Sequence, residues 1–194
     1  MSSLRLGAAV ALLALPLAVA LTDTHLEGQS AALVISTAAA ALAVSALALQ
    51  PLLAGTGRLR WHRMLGGIAL ALVLLHLGAL YLESPEDTLF ALSLDGPTRG
   101  RMAALATAAL IAVVALGVLR RRLPMASATW RILHGFLAGL VIFLGFGHAI
   151  LTDGALDGFG TPVLLAFGAV ALVGVGSAFA ARRRRARSSA AASR

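Results

Sequence analysis

Four of the five histidines lie within or beside long apolar segments, where ionisable side chains are rare and usually functional. They form two pairs with equal spacing: His62 and His76 are 14 residues apart, and so are His134 and His148. Fourteen residues make about four helical turns, or roughly 21 Å, so both members of a pair face the same side of a helix. Imidazole is a strong ligand for haem iron and for transition-metal ions. The spacing therefore predicts metal ligands at two levels on two helices.

The chain that carries these histidines has 194 residues and is strongly apolar. Apolar residues make up 59% and charged residues 12%, against about 45–50% and about 25% in soluble domains. This composition excludes a disordered chain and argues against a soluble domain. There is no cysteine, which excludes disulfides, thiolate metal sites, iron–sulfur clusters and covalent c-type haem attachment.

Six apolar runs are long enough to be transmembrane helices, or nearly so. They are Leu6–Leu21, Ala31–Leu53, Met64–Leu82, Met102–Leu119, Ile132–Leu151 and Pro162–Ala181. Short polar connections join them and leave no room for a second soluble domain. We therefore predict an all-α, polytopic membrane protein, with a six-transmembrane-helix bundle over residues 1–181 and an Arg-rich cytoplasmic tail over residues 182–194.

The charged residues alternate between the ends of these runs. All 16 basic residues are arginines, 14 of them lie on one side, and the other side holds all eight acids. Because the basic side of a membrane protein stays in the cytoplasm, this predicts a multi-pass protein of the cytoplasmic membrane with both termini cytoplasmic. The Arg182–Arg185 run is then a topology signal rather than a nucleic-acid site. The first run also fits a cleaved signal peptide; a retained helix is favoured, and that alternative stays open.

In this orientation the third and fifth helices both run outward, so each contributes one imidazole to each level. We call His62 and His134 the inner pair, and His76 and His148 the outer pair. Two levels with two imidazoles each predict two haem b groups, with the four histidines as axial iron ligands. A metal-ion or proton transporter is the main alternative, although no span contains the carboxylates expected beside its histidines. A structural subunit that carries haem passively is a third reading.

Arginines near the two levels are candidate partners of haem propionates, because a guanidinium binds a carboxylate bidentately. Arg60, Arg63 and Arg131 lie near the inner level, and a role in topology explains them equally well. Arg99 and Arg101 lie near the outer level, against the general charge pattern. We take Arg63, Arg131 and Arg101 as the candidate contacts.

Three residues with aromatic rings, Trp61, Trp130 and His25, each fit two alternative roles. Trp61 and Trp130 begin the two histidine helices, where interfacial anchoring is the ordinary role and packing on haem is the alternative. His25 lies between Asp23 and Glu27 in the first outer connection, where a solvated loop is favoured over a metal site.

The residues around both pairs resemble the ferric reductase-like transmembrane domain family. Trp61-His62-Arg63-Met64-Leu65-Gly66, followed by His76, is similar to the first haem-ligand helix of that family. Trp130-Arg131-Ile132-Leu133-His134, followed by His148, is similar to the second. The family includes NADPH oxidases, eukaryotic ferric reductases and the membrane subunit of the bacterial periplasmic methionine sulfoxide reductase system. The motifs cover about residues 61–151, and the cytochrome b of quinol-oxidising complexes uses similar spacing in a different helix arrangement.

The resemblance implies transmembrane electron transfer through two haem b groups. The implied donor is a separate cytoplasmic flavoprotein or a membrane quinol, and the implied acceptor is an outer redox protein or a ferric chelate. Oxidases of the family continue into an FAD- and NAD(P)H-binding region, whereas this sequence contains no Gly-x-Gly-x-x-Gly loop. We therefore expect an oxidoreductase component without its own flavin or NADPH domain, without catalytic residues for a bound substrate, and without a nucleic-acid partner.

Overall fold

The structure is a computed structural model that describes residues 14–55, 58–152, 154, 156, 158 and 160–192. Residues 14–21 form helix α1. The helices that follow are α2 (Ala31–Gly55), α3 (Leu59–Glu83), α4 (Pro85–Leu92), α5 (Thr98–Val118), α6 (Ser127–Ile150) and α7 (Gly160–Ala192). Single 3-10 turns occur at Thr24–Leu26 and Leu119–Arg121, and these described ranges contain no strand.

Within the part of the chain that the structure describes, five helices are long and apolar enough to cross a membrane, namely α2, α3, α5, α6 and the first half of α7. They coincide with five of the six predicted runs, so the all-α class is confirmed and the chain is a multi-pass membrane protein by length and composition. Residues 6–13 of the first predicted run lie outside the described residues, and the sixth span stays a prediction. Helix α7 continues without a break across the predicted domain boundary at residue 181 and ends at Ala192.

Helix α4 is not among the six helices predicted from the apolar runs of the sequence. The Ser84 hydroxyl donates to Asp87 Oδ2 at 2.7 Å, Pro85 is the first helical residue, and Glu86 and Asp87 lie in the first turn. A serine before the helix, a proline at its start and acids near its positive end are typical start signals. The signal is present in the sequence, but eight residues are too few for a search based on long apolar runs.

The five long helices form a ring around an interior. Helix α3 packs against α2, α2 against α7, α7 against α6, and α6 against α5, while α5 closes the ring against α3. The two histidine helices, α3 and α6, therefore face each other across the interior instead of packing side by side.

Small residues line much of the helix interfaces, and many large apolar side chains point outward. Five buried residues of α2 are alanines: Ala39, Ala41, Ala43, Ala46 and Ala48. By contrast Leu74, Leu75, Phe143 and Val173 are exposed. Membrane helices associate through small residues that let their backbones approach, and lipid covers the large side chains. The packing thus agrees with a bilayer as the surrounding medium.

The turn between α4 and α5 depends on a close approach of two backbones. Gly100 lies in the first turn of α5 and is buried. A Cβ atom at Gly100 would overlap the backbone carbonyl of Ala91 in α4. Because neither group is the end of a flexible side chain, a larger residue requires one of the two helices to move.

We expect Gly100→Ala to destabilise the protein by about 1–3 kcal/mol, because overpacking forces the backbone to shift. Gly117→Ala on the same helix is the control, since the described structure has no neighbouring group within 4 Å of its Cβ position. Alanine is the better helix former, so the control should be as stable as the parent or slightly more stable. Thermal unfolding in detergent compares the variants, and equal melting temperatures would contradict the close approach.

Candidate functional site

The four histidines come together as two pairs across the interior. The ring centres of His62 and His134 are 6.2 Å apart, and those of His76 and His148 are 6.5 Å apart. All four rings are partly buried. Since α3 and α6 each contribute one ring to each pair, these two helices run in the same direction.

Helix α2 binds both histidines of α3 through main-chain carbonyls. His62 Nδ1–H donates to the Gln50 carbonyl at 3.0 Å, and His76 Nδ1–H donates to the Ser36 carbonyl at 3.1 Å. In the opposite direction, Gln50 Nε2 donates to the His62 carbonyl at 3.0 Å, and the Ser36 hydroxyl donates to the His76 carbonyl at 3.2 Å. The Ser36 hydroxyl oxygen also lies 2.8 Å from His76 Nδ1. Each of these histidines is therefore tied to α2 by both its ring and its backbone.

The histidines of α6 are held by other neighbours. His148 Nδ1–H donates to the Arg99 carbonyl at 3.0 Å, at the start of α5. The Thr152 hydroxyl donates to the His148 carbonyl at 2.7 Å and lies 3.3 Å from the same ring nitrogen. His134 stacks on Trp130, with ring centres 4.7 Å apart and planes 17° apart.

Trp130 is itself fixed in place at the inner pair. Its indole N–H donates to the Leu116 carbonyl at 3.1 Å, and the Arg120 guanidinium lies 5.5 Å from the ring centre. Trp61 is different, because more than half of its side chain is exposed. The two tryptophans that begin the histidine helices therefore have unequal surroundings: Trp61 is exposed, and Trp130 contacts a histidine of the site.

The carbonyl contacts determine which ring nitrogen carries the proton. A backbone carbonyl only accepts hydrogen bonds, so Nδ1 of His62, His76 and His148 carries a proton, and in the neutral form of each ring Nε2 bears the lone pair. Histidines that ligate metals use this arrangement, with one ring N–H bound to a carbonyl or carboxylate. Two imidazoles that ligate one metal ion through nitrogens at about 2.0 Å have ring centres roughly 6 Å apart. The observed separations fit that geometry at both levels.

A cavity of about 260 Å³ adjoins the outer pair among α2, α3, α5 and α6. His76 and His148 line it, and His25 lines it as well. Much of the remaining lining consists of small residues, among them Ala40, Ala43, Ala103, Ala106, Gly145 and Ala149. An apolar cavity with a few polar groups is typical of a site for a small organic ligand or cofactor.

An aliphatic layer separates the two pairs. Its buried residues come from α5 and α6, and apolar side chains of α3 pack against them: Ala109, Leu110, Val113, Val141, Leu70 and Val73. On both histidine helices, these residues lie between the two histidines in the sequence. The inner and outer pairs are thus separate sites within one bundle.

The three arginines proposed as propionate partners are all exposed. Arg63 and Arg131 lie at the level of the inner pair. Arg101 lies in the first turn of α5, where its guanidinium donates to Thr98 Oγ1 at 3.3 Å. Its neighbour Arg99 contacts the outer pair through its main chain. The contact of these arginines with propionates stays a prediction.

Three residues that bind the histidines escaped the sequence reasoning: Ser36, Gln50 and Thr152. A signal exists for the first two, because Ser36 and Gln50 are 14 residues apart on α2, the same spacing as in each histidine pair. Thr152 follows His148 by four residues, the spacing at which helical side chains meet.

Comparisons of the chain with protein-family models, with curated proteins and with solved structures found no match. The two histidine pairs and their geometry are therefore the features that indicate a function.

Nitrogen NMR of the protein labelled at its histidine rings should find Nδ1 protonated and Nε2 unprotonated at His62, His76 and His148. The reason is that the carbonyls of Gln50, Ser36 and Arg99 require a donor at Nδ1. The exposed ring of His25 serves as the internal control and should show a mixture of tautomers. An unprotonated Nδ1 at either α3 histidine would contradict the hydrogen bonds to α2.

Proposed function

We propose that this protein carries electrons across the cytoplasmic membrane through two b-type haems, as the membrane component of a ferric reductase-like or related reductase system. The observation that carries the proposal is the pair of ring separations, 6.2 Å and 6.5 Å, on two parallel helices. In this proposal His62 and His134 are the axial ligands of the inner haem, and His76 and His148 are those of the outer haem.

The donor set suits haem in its number and its chemistry. Each level offers two imidazoles, which in their neutral form would be the ligand set for a macrocycle that brings four nitrogens of its own. Bound haem supplies the one-electron redox chemistry. The chain holds the imidazoles at the correct separation, orients them through carbonyls of α2 and α5, and lines the outer site with side chains small enough for a flat ring system. Arg63, Arg131 and Arg101 are the proposed propionate partners.

In this proposal electrons move from the cytoplasmic side of the membrane to the outer side. If the chain makes six spans with both termini in the cytoplasm, as the Arg-rich ends suggest, the inner pair would lie near the donor and the outer pair near the acceptor. A separate flavoprotein or a membrane quinol would donate on the inner side. A redox protein or a ferric chelate would accept on the outer side. The aliphatic layer keeps water and ions out of the space between the pairs.

The number of haems tests the proposal against a metal-ion or proton transporter. Protein purified from haem-replete cells should contain two haem b per chain, with a low-spin visible spectrum because both axial positions are filled. Haem extraction and quantification against protein mass provide the ratio. One haem per chain would show that one level is misread, and a colourless protein that binds divalent ions would favour the transporter.

Histidine variants test the assignment of each pair. His76→Ala should remove the outer haem and retain the inner one, because the two sites share no ligand. In oriented vesicles its inner haem should still be reduced from the cytoplasmic side, and transfer to an outer acceptor should fall sharply. His134→Ala should produce the mirror image, with an outer haem that is reducible only from outside.

The same vesicles separate an electron carrier from a subunit that holds haem passively. Wild-type haem that is reduced on one side and reoxidised by an acceptor on the other supports electron transfer. Haem that responds to neither side would support the passive reading. If the two histidine variants lose the same haem, the pairing of the ligands is wrong.

A further inference from the structure

Helix α2 makes the same kind of contact with both histidines of α3. At each level one α2 residue accepts the ring Nδ1–H through its carbonyl and donates to the histidine carbonyl through its side chain. The spacing from Ser36 to Gln50 equals that from His62 to His76, and the antiparallel packing of the two helices keeps both contacts in register. Ala43 and Ala69 lie at the midpoints of these intervals, and both are buried. Small residues therefore keep the helices close between the contacts.

The side chains at the two levels differ in one contact. The Gln50 amide binds only the main chain of His62 among the contacts described, and Gly66 leaves space for it, because a Cβ there would lie 3.1 Å from Gln50 Nε2. The Ser36 hydroxyl binds the main chain of His76 and also reaches its ring, 2.8 Å from Nδ1. Ser36 is 1% exposed, so water does not compete for this contact.

We propose that Ser36 and Gln50 are positioning residues of the two sites, and that the Ser36 hydroxyl also makes His76 a stronger electron donor to its metal. The proposal rests on the proposed function, because it concerns ligands of haem iron. Ser36 acts on the outer site and Gln50 on the inner site, so one helix sets both ligands of α3 separately.

The physical basis is the polarity of the Nδ1–H bond. An acceptor at Nδ1 draws the ring proton away and raises the basicity of Nε2, the ligating nitrogen. A more basic axial ligand stabilises the oxidised iron more than the reduced iron, so it lowers the reduction potential. In a buried site this effect is stronger than in water, because the effective dielectric constant is low.

Redox titration of the purified full-length protein, with both haems bound, tests the proposal. Ser36→Ala should raise the midpoint potential of the outer haem and leave that of the inner haem unchanged. Gln50→Leu keeps the approximate size of the side chain and removes its donor. It should weaken retention of the inner haem by about 10–100-fold, the usual cost of losing a group that orients a metal ligand, with the outer haem unaffected. The spectrum of His76→Ala assigns the two titration waves.

Ser45→Ala is the matched control. Ser45 also lies on α2 and is fully buried, but its hydroxyl donates to the Ala41 carbonyl at 3.1 Å. The control should leave both potentials and both haem occupancies unchanged. Ser36→Thr retains the hydroxyl and should restore the wild-type potential, or the outer haem if Ser36→Ala loses it.

The outcomes separate this proposal from the proposed function. Two haems in the wild type, with Ser36→Ala indistinguishable from Ser45→Ala, would overturn the role of Ser36 and leave the electron carrier intact. Equal loss of both haems in Ser36→Ala, or loss of the outer haem in Ser36→Thr as well, would show a merely structural serine and would also overturn it. A wild-type protein without haem would overturn the proposed function itself.

Discussion

A hydrogen bond from an imidazole to a main-chain carbonyl of the neighbouring helix is the interaction on which the site depends. Inside a bilayer a polar group without a partner is costly, because there is no water to replace the lost bonds. The carbonyls of Ser36, Gln50 and Arg99 provide that partner for three of the four histidines. A ring nitrogen reaches a carbonyl inside another helix only if the two backbones are close. This requirement explains the alanines along α2, and it leaves the large apolar side chains to face lipid.

The sequence predicts those parts of the molecule that leave a periodic or charged signature. Apolar run length and arginine placement are set by the bilayer, and the five described spans lie within a few residues of their predicted bounds. The 14-residue spacing also predicts which histidines share a level. The carbonyl of Arg99 could not be found in this way, because a main-chain acceptor has no residue-type signature. Ser36 and Gln50 were hidden for a related reason, since one of two serines and a single glutamine in an alanine-rich helix are ordinary until their partners are known.

The histidines of α3 and α6 are bound by different neighbours. One of these neighbours, Arg99, connects the outer pair to the turn between α4 and α5. Both histidines of α3 are tied to α2, its neighbour in the ring. On α6, His148 depends on Arg99, which is adjacent to Gly100 at the contact between α5 and α4. A shift of α5 away from α4 would therefore move an acceptor of the outer pair. The inner pair depends instead on Trp130, which spans from α6 to the main chain of α5.

Two histidine pairs separated by an aliphatic layer suit ion transport and electron transfer to different degrees. An ion that passes from the inner to the outer pair must cross the layer around Leu110, Val113 and Val141, and a charge within such an apolar layer is strongly unfavourable. It must also be released by ligands that main-chain bonds hold in place. Electron transfer between two bound redox centres requires neither a polar path nor movement of the ligands. Rigid imidazoles at two levels, with aliphatic side chains between them, are therefore a better design for a fixed pair of redox centres than for a transport pathway.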